Sequence, residues 1–287
     1  MKTAIMTDTN SGITNDAARK LGIYVIHMPV IIDENTFYEN DNLTEASFFQ
    51  ALSGDASVTT SQPSPGDVMD MWDQILADGY DELVYIPMSS GLSNSCAAAM
   101  GYAQDYDGKV VVIDNHRISV TLYESVLQAR EMALHESSAA EIKAALEADA
   151  YQSSIYLAVN TLEYLKKGGR ITPAAGLIGT LLSIKPILTI QGEKLDSYAK
   201  TRGSMKRAEE KMVLAVQSDL KNRFAGQDMS KLHIGAAGAG LTPEQQKEWL
   251  TLLYDKFPGT DIIYLPLSAS ISVHTGPGAV GIGICFR

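Results

Sequence analysis

Short apolar runs rich in β-branched residues alternate with stretches of helical periodicity along nearly the whole chain. The runs predict strands at Thr3–Thr7, Tyr24–Ile26, Leu83–Ile86, Lys109–Ile113, Ile155–Val159, Pro186–Ile190, Leu232–Ala236, Ile262–Leu265 and Val280–Phe286. Helical spacing predicts helices at Thr14–Leu21, Glu45–Leu52, Pro65–Ala77, Asn94–Asp105, Ser119–Leu134, Ala139–Ala150, Pro173–Leu182, Ser204–Leu220 and Pro243–Phe257. Strands alternating with helices define an α/β protein. Two helix starts are explicit. Thr242-Pro243-Glu244-Gln245 puts a capping hydroxyl before a first-turn proline with Gln three residues after the cap, and Ser64-Pro65-Gly66-Asp67 does the same with Asp.

The polar, acidic stretch Glu147–Ser154 marks a boundary. Before it the order is strand, loop, helix. After it come Gly-rich segments and a hairpin pairing Pro186–Ile190 with Leu195–Tyr198 around Gln191-Gly192. This predicts an N-terminal α/β domain over 1–153 and a C-terminal α/β domain over 154–287.

At 287 residues and 45% hydrophobic content, the chain has enough apolar surface for its cores without disulfide or metal staples. The start Met1–Asp8 turns polar too soon for a secretory leader, and Ala174–Ile190 is interrupted by Gly176, Gly179, Lys185 and Pro186, so no membrane span is expected. Two cysteines cannot form a disulfide framework and fit a reducing compartment, which predicts a cytoplasmic protein. Net charge is 23 − 34 = −11, which argues against a general nucleic-acid binder. Residues 160–210 are the exception, with nine Lys/Arg against five acids.

Hydroxyls concentrate in two loops, each running into a predicted helix: Thr59-Thr60-Ser61-Gln62-Pro63-Ser64 and Met88-Ser89-Ser90-Gly91-Leu92-Ser93-Asn94-Ser95. A hydroxyl between a strand's carboxyl end and a helix's amino end sits where α/β folds bind ligands, and neutral donors suit a carboxylate or phosphate. Helix capping accounts for either loop singly. Lys166-Lys167-Gly168-Gly169 reads as the cationic end of a helix stopped by glycines, which leaves Arg170 as a candidate anion or interface contact. Lys200-Thr201-Arg202 precedes another helix and offers the same choice. Gly276-Pro277-Gly278-Ala279-Val280-Gly281 formally matches the dinucleotide pattern G-x-G-x-x-G, but a strand follows it rather than a helix. Those glycines instead predict a tight loop that aims His274 inward.

Gly91-Leu92-Ser93-Asn94-Ser95 misses the last position of the hydrolase elbow G-x-S-x-G, the five histidines lack zinc spacing, and there is no nucleotide P-loop. A Ser93–His274 pair is the best enzymatic alternative.

Seven segments in this order resemble the DegV family: Thr7-Asp8-Thr9-Asn10-Ser11, Thr60-Ser61-Gln62-Pro63, Ser89-Ser90-Gly91-Leu92-Ser93, Leu165-Lys166-Lys167-Gly168-Gly169-Arg170-Ile171, Lys185-Pro186-Ile187-Leu188, Lys200-Thr201-Arg202 and His274-Thr275-Gly276-Pro277-Gly278. The resemblance implies a Rossmann-like N-terminal domain and a second α/β domain with a mixed sheet. A long-chain fatty acid would lie between them, its acyl chain in a buried tunnel, with no cofactor and no catalysis by the chain itself. It implies carboxylate binding by Thr60, Ser61, Ser93 and His274, and head-group or partner contact by Arg202, Arg170 and Asn94. The partner implied is the catalytic protein of a fatty acid kinase, which phosphorylates the carboxylate; transient membrane contact is implied, and nucleic acid is not. Two departures stand out. Asn94-Ser95 replaces a common Gly-Thr, implying altered head-group amides, and Thr121 and Tyr123 replace small residues, implying a reshaped tunnel. A Ser/His acyl hydrolase and a lipid-sensing regulator are the competing readings.

Overall fold

The computed structural model describes residues 2–176, 184–191 and 194–287. In the first half the strands are β1 (Thr3–Asp8), β2 (Ile23–Ile26), β3 (Pro29–Ile32), β4 (Asn35–Tyr38), β5 (Val58–Thr60), β6 (Glu82–Ile86) and β7 (Val110–Val112), with helices α1 (Asn15–Leu21), α2 (Glu45–Ser53), α3 (Pro65–Ala77), α4 (Ser95–Tyr102), α5 (Ser119–Leu134) and α6 (Ala139–Ala148). The second half holds β8 (Ser153–Ala158), α7 (Glu163–Gly168), α8 (Pro173–Gly176), β9 (Ile184–Ile190), β10 (Asp196–Arg202), α9 (Met205–Lys221), β11 (Leu232–Gly238), α10 (Pro243–Lys256), β12 (Ile262–Pro266), α11 (Ala269–Thr275) and β13 (Val280–Phe286).

The α/β expectation holds, with one parallel and one mixed sheet. The parallel sheet runs β2-β1-β6-β7. Every residue of β1 is buried, as a strand covered on both faces requires. The mixed sheet runs β10-β9-β8-β13-β11-β12, with β11–β12 its parallel pair. One face of it, carrying Tyr156, Ile234, Ile282 and Ile284, packs on α9 and α10 through Met212, Val216 and Trp249. The other face carries Leu157, Leu188, Ile190 and Ala237 into the core shared with α5.

Three short strands were not predicted. β3, β4 and β5 form an antiparallel sheet in the order β4-β3-β5, and the β3–β4 turn is made by Asp33 and Glu34, both at positive φ. No glycine marks this turn, so the strongest hairpin signal is missing. α11 was also unpredicted, and it places His274 in a helix rather than in the glycine loop that follows. β9 and β10 pair as the expected hairpin, whose Gly192 lies outside the described residues, as do residues 177–182 of the predicted helix Pro173–Leu182.

α5 joins the two large sheets. It contacts β1 on one side and β11, β12 and β13 on the other, and eight of its 16 residues are buried. At its start, Arg117 is 1% exposed and donates to Ser125 Oγ and to the carbonyls of Asp149 and Ala150. Further along, Glu124 accepts from Arg287 Nε at 2.8 Å and lies 3.3 Å from His233 Nδ1 of β11. Close approach to the mixed sheet depends on the cross-strand glycines Gly235 and Gly283. A Cβ at either would lie 2.5 or 2.4 Å from the side chain of Val120.

Gly283→Ala should therefore destabilise the protein by about 1–3 kcal/mol through overpacking, and Val120→Ala in the same chain should recover part of that loss. Denaturant unfolding of the two single variants and the double variant measures this. Strictly additive effects would contradict the contact.

Candidate functional site

Where the two halves meet there is a cavity of about 880 Å³, counted with its open mouth. The first half contributes Met28, Met88, Leu92, Ile118 and Val120; the second contributes Ile155, Leu157, Leu165, Ile190 and Ala237. Its lining is mainly aliphatic, as is usual for small-molecule sites. The polar groups are few: Asn10, Thr60, Ser61, Gln62, Ser93, Ser119, Arg170, Ser270, His274 and Thr275.

Five of the seven sequence-predicted site residues meet here: Thr60, Ser61, Ser93, Arg170 and His274. Thr60 is the last residue of β5, held by register against Val30 of β3. His274 lies in the last turn of α11, whose first turn is capped by Ser268 Oγ. Their side chains bond, Thr60 Oγ1 to His274 Nε2 at 3.0 Å. The imidazole lies against Gly168, where a Cβ would be 2.0 Å from Nδ1, so any larger residue at the end of α7 would displace the ring. His274 Nδ1 is buried without a partner among the described residues. Burial, then the nearby Arg170 guanidinium, depresses the imidazole from its ordinary value near 6.5 to about 4, so the ring is neutral at physiological pH.

Arg170 donates through Nε to Leu92 O at 3.2 Å and through Nη1 to Gly168 O, tying the loop after β6 to the end of α7. Ser93 Oγ accepts from Ser95 N at 3.2 Å, which leaves its proton available for an acceptor. Ser61 lines the cavity too, but its hydroxyl donates to Gln62 O. A second pocket, about 910 Å³ with its open volume, shares Thr60, Arg170 and His274 with the first and adds Glu163, Tyr164 and Lys167. These three shared residues thus form a wall with apolar space on one side and a polar mouth on the other.

The structure does not bring Arg202 or Asn94 to either pocket. Arg202 is exposed at the end of edge strand β10, and Asn94 is exposed before α4. Thr121 and Tyr123 do not line the cavity either; the Thr121 hydroxyl bonds Ile118 O, and the residue before it, Val120, forms part of the wall. Sequence reasoning gave no role to Asn10 and missed Ser270. Asn10 Oδ1 accepts from Ser268 Oγ and Ser270 Oγ, linking the loop after β1 to α11. Asp8 anchors that loop by accepting from the backbone N–H of Asn10 and Met88, and full burial pushes its carboxyl up to about 6.

His274 bonds Thr60 rather than Ser93, and a ring that protonates near pH 4 is a weak general base, so the geometry favours binding over hydrolysis. Among the described residues no cluster of His, Cys, Asp or Glu fits a metal, and no helix is long and apolar enough to cross a membrane.

A family model described as "Uncharacterised protein, DegV family" matches residues 2–287. The chain belongs to the DegV family. A DegV domain-containing protein of Clostridium acetobutylicum is 32% identical over 98% of this chain and 97% of the relative. Among solved structures, a DegV-family protein from Thermus thermophilus, described for fatty acid binding, superposes with a TM-score of 0.88 at 27% identity over the whole of both chains. DegV of Bacillus subtilis, described as a fatty acid binding protein, gives 0.85 at 27% identity, again over the whole of both chains.

Because His274 is neutral when folded down to about pH 4 but protonates near 6.5 when unfolded, the folded DegV chain should lose stability as pH falls through that window. His274→Gln lacks this penalty. From pH 7 to pH 5 the variant should gain about 1–2 kcal/mol relative to the parent in denaturant unfolding. A stability difference that does not move with pH would contradict the buried neutral ring.

Proposed function

We propose that this chain binds a long-chain fatty acid between its two halves, taken as domains 1–153 and 154–287, and presents the carboxylate to a fatty acid kinase partner for acyl-phosphate formation. One observation carries the reading: an aliphatic cavity whose polar wall, Thr60, Arg170 and His274, is shared with a polar mouth. A carboxylate removed from water needs donors, or it protonates instead. Neutral His274 donates from Nε2 to Thr60 Oγ1 in the tautomer that frees the threonine proton for the ligand. Ser93 supplies a second hydroxyl proton and Arg170 a positive charge. In that tautomer the unpartnered Nδ1 is a lone pair rather than a stranded N–H.

The tail supplies most of the affinity. Burying about 15 methylenes at ~0.8 kcal/mol each gives on the order of 12 kcal/mol before the entropy of binding is subtracted, and the head group fixes orientation. The likeness to the Thermus and Bacillus proteins described for fatty acid binding supports this reading. Partner docking is assigned to the cationic side of the mouth, where Lys167 lies beside Arg170, with Arg202 on the exposed edge strand as a further contact. The role fits a cytoplasmic protein meeting membranes transiently, with catalysis left to the partner.

Thr60→Val and Ser93→Ala should each weaken fatty-acid binding by about 1–3 kcal/mol in calorimetry, the cost of stranding part of a charged acceptor. Unchanged affinity in both variants would remove the head-group assignment. Mass spectrometry of an organic extract of the purified protein should find a long-chain fatty acid. An extract free of lipid, from protein that also takes up none when it is added, would contradict the function itself.

A further inference from the structure

Strand register indicates what limits the length of the apolar chain in this cavity. From His274 the chain passes through the Gly276–Gly278 turn directly into β13, so β13 runs away from the polar wall. Side chains alternate along a strand, and Val280 and Ile282 belong to the core on the α9–α10 face. Gly281 and Gly283 therefore share the opposite face, spaced by two residues or about 6.7 Å. Gly281 lines the cavity, and a Cβ there would meet only ordinary contacts, 3.5 Å from Tyr156 O, 3.6 Å from Leu157 Cδ1 and 3.9 Å from Ala237 Cβ. Gly283 does not line it. The space above Gly283 is filled by Val120, whose Cγ2 would lie 2.4 Å from a Cβ at that position. Val120 is 3% exposed, is seated on Gly235 as well, and itself lines the cavity. Ile155, the register partner of Gly283, lines the same end.

We propose that Val120, seated on the Gly235–Gly283 pair, is the stop for the ligand's chain and sets how many methylenes the cavity holds, while the bare backbone at Gly281 gives the chain its passage toward that stop. This rests on the fatty-acid reading above and adds its specificity-determining residues. A glycine-floored channel closed by one small branched side chain has two opposite adjustments. Trimming Val120 uncovers the floor at Gly283, and adding a side chain at Gly281 blocks the channel earlier. Neither residue is one of the three that form the polar wall, so both variants keep the groups that orient the carboxylate.

The test measures affinities of the full-length protein, delipidated, for a series of saturated fatty acids differing by two carbons. For the parent chain, affinity rises by about fourfold per methylene until the stop is reached and then levels or falls. In Val120→Ala the turning point moves to a longer acid, and the ratio of affinities for the next longer acid over the parent's best one rises by about fourfold or more. In Gly281→Val it moves to a shorter acid. The second variant keeps the test decisive if the first is poorly folded, because a Cβ at Gly281 meets no backbone closer than 3.5 Å. A parent chain that binds the series, with both folded variants keeping its profile, overturns the stop but leaves the fatty-acid reading intact. A parent chain that binds no member of the series overturns both.

Discussion

The close approach of α5 to the mixed sheet governs the rest of the molecule. Without side chains at Gly235 and Gly283, Val120 sits on bare backbone, and the helix touches β1 on its other side, so one helix is packed between two sheets. Arg287 and His233 engage the buried Glu124 on the same helix, and Arg117 ties its first turns to the end of α6. A buried carboxylate in this position is costly unless its partners are in place, which makes the arrangement specific rather than merely adhesive. Because both halves meet on this helix and on the α11 contacts with β3 and β5, the space left between them is bounded by elements of each.

That space has opposite chemistry at its two ends. Toward the sheets it is mainly aliphatic, and toward β5, α7 and α11 it meets a neutral imidazole, one guanidinium and hydroxyls that include those of Thr60 and Ser93. Burial keeps His274 uncharged, and the neutral ring is hydrogen-bonded to Thr60 Oγ1. Arg170 is held by carbonyls of two different segments, so its charge stays at the mouth without an acidic partner among the bonds that position it. Such a site suits an amphiphile carrying one negative group, and it matches the ligand class for which the Thermus and Bacillus family members are described.

Much of this was readable from the residues. Long strands such as β1, β11 and β13 carried continuous apolar runs, and α3 and α10 were bounded by Ser64-Pro65 and Thr242-Pro243 caps that the structure contains. The small sheet was not readable, because its strands span three or four residues and Asp33-Glu34 turns the chain without glycine. α11 was missed because Ser268-Ala269-Ser270-Ile271-Ser272-Val273 alternates polar and apolar with period two, while burial of five of its seven residues erases the helical stripe. Thr60, Ser93 and His274 were legible as hydroxyl loops and a glycine-flanked histidine. Their convergence was not, since 33 and 181 residues separate them in sequence and only the meeting of β5, the loop after β6 and α11 brings them to one cavity. Val120 gave no signal at all: its role comes from two glycines more than a hundred residues away.

The most direct measurement is a crystal structure of the protein with a long-chain fatty acid bound. The account predicts the carboxylate within hydrogen-bonding distance of Thr60 Oγ1 and Ser93 Oγ, beside Arg170, with the acyl chain passing over Gly281 between Leu157 and Ala237 toward Val120. Density for the lipid elsewhere on the molecule, or a chain running the opposite way with its carboxylate against the mixed sheet, would contradict it.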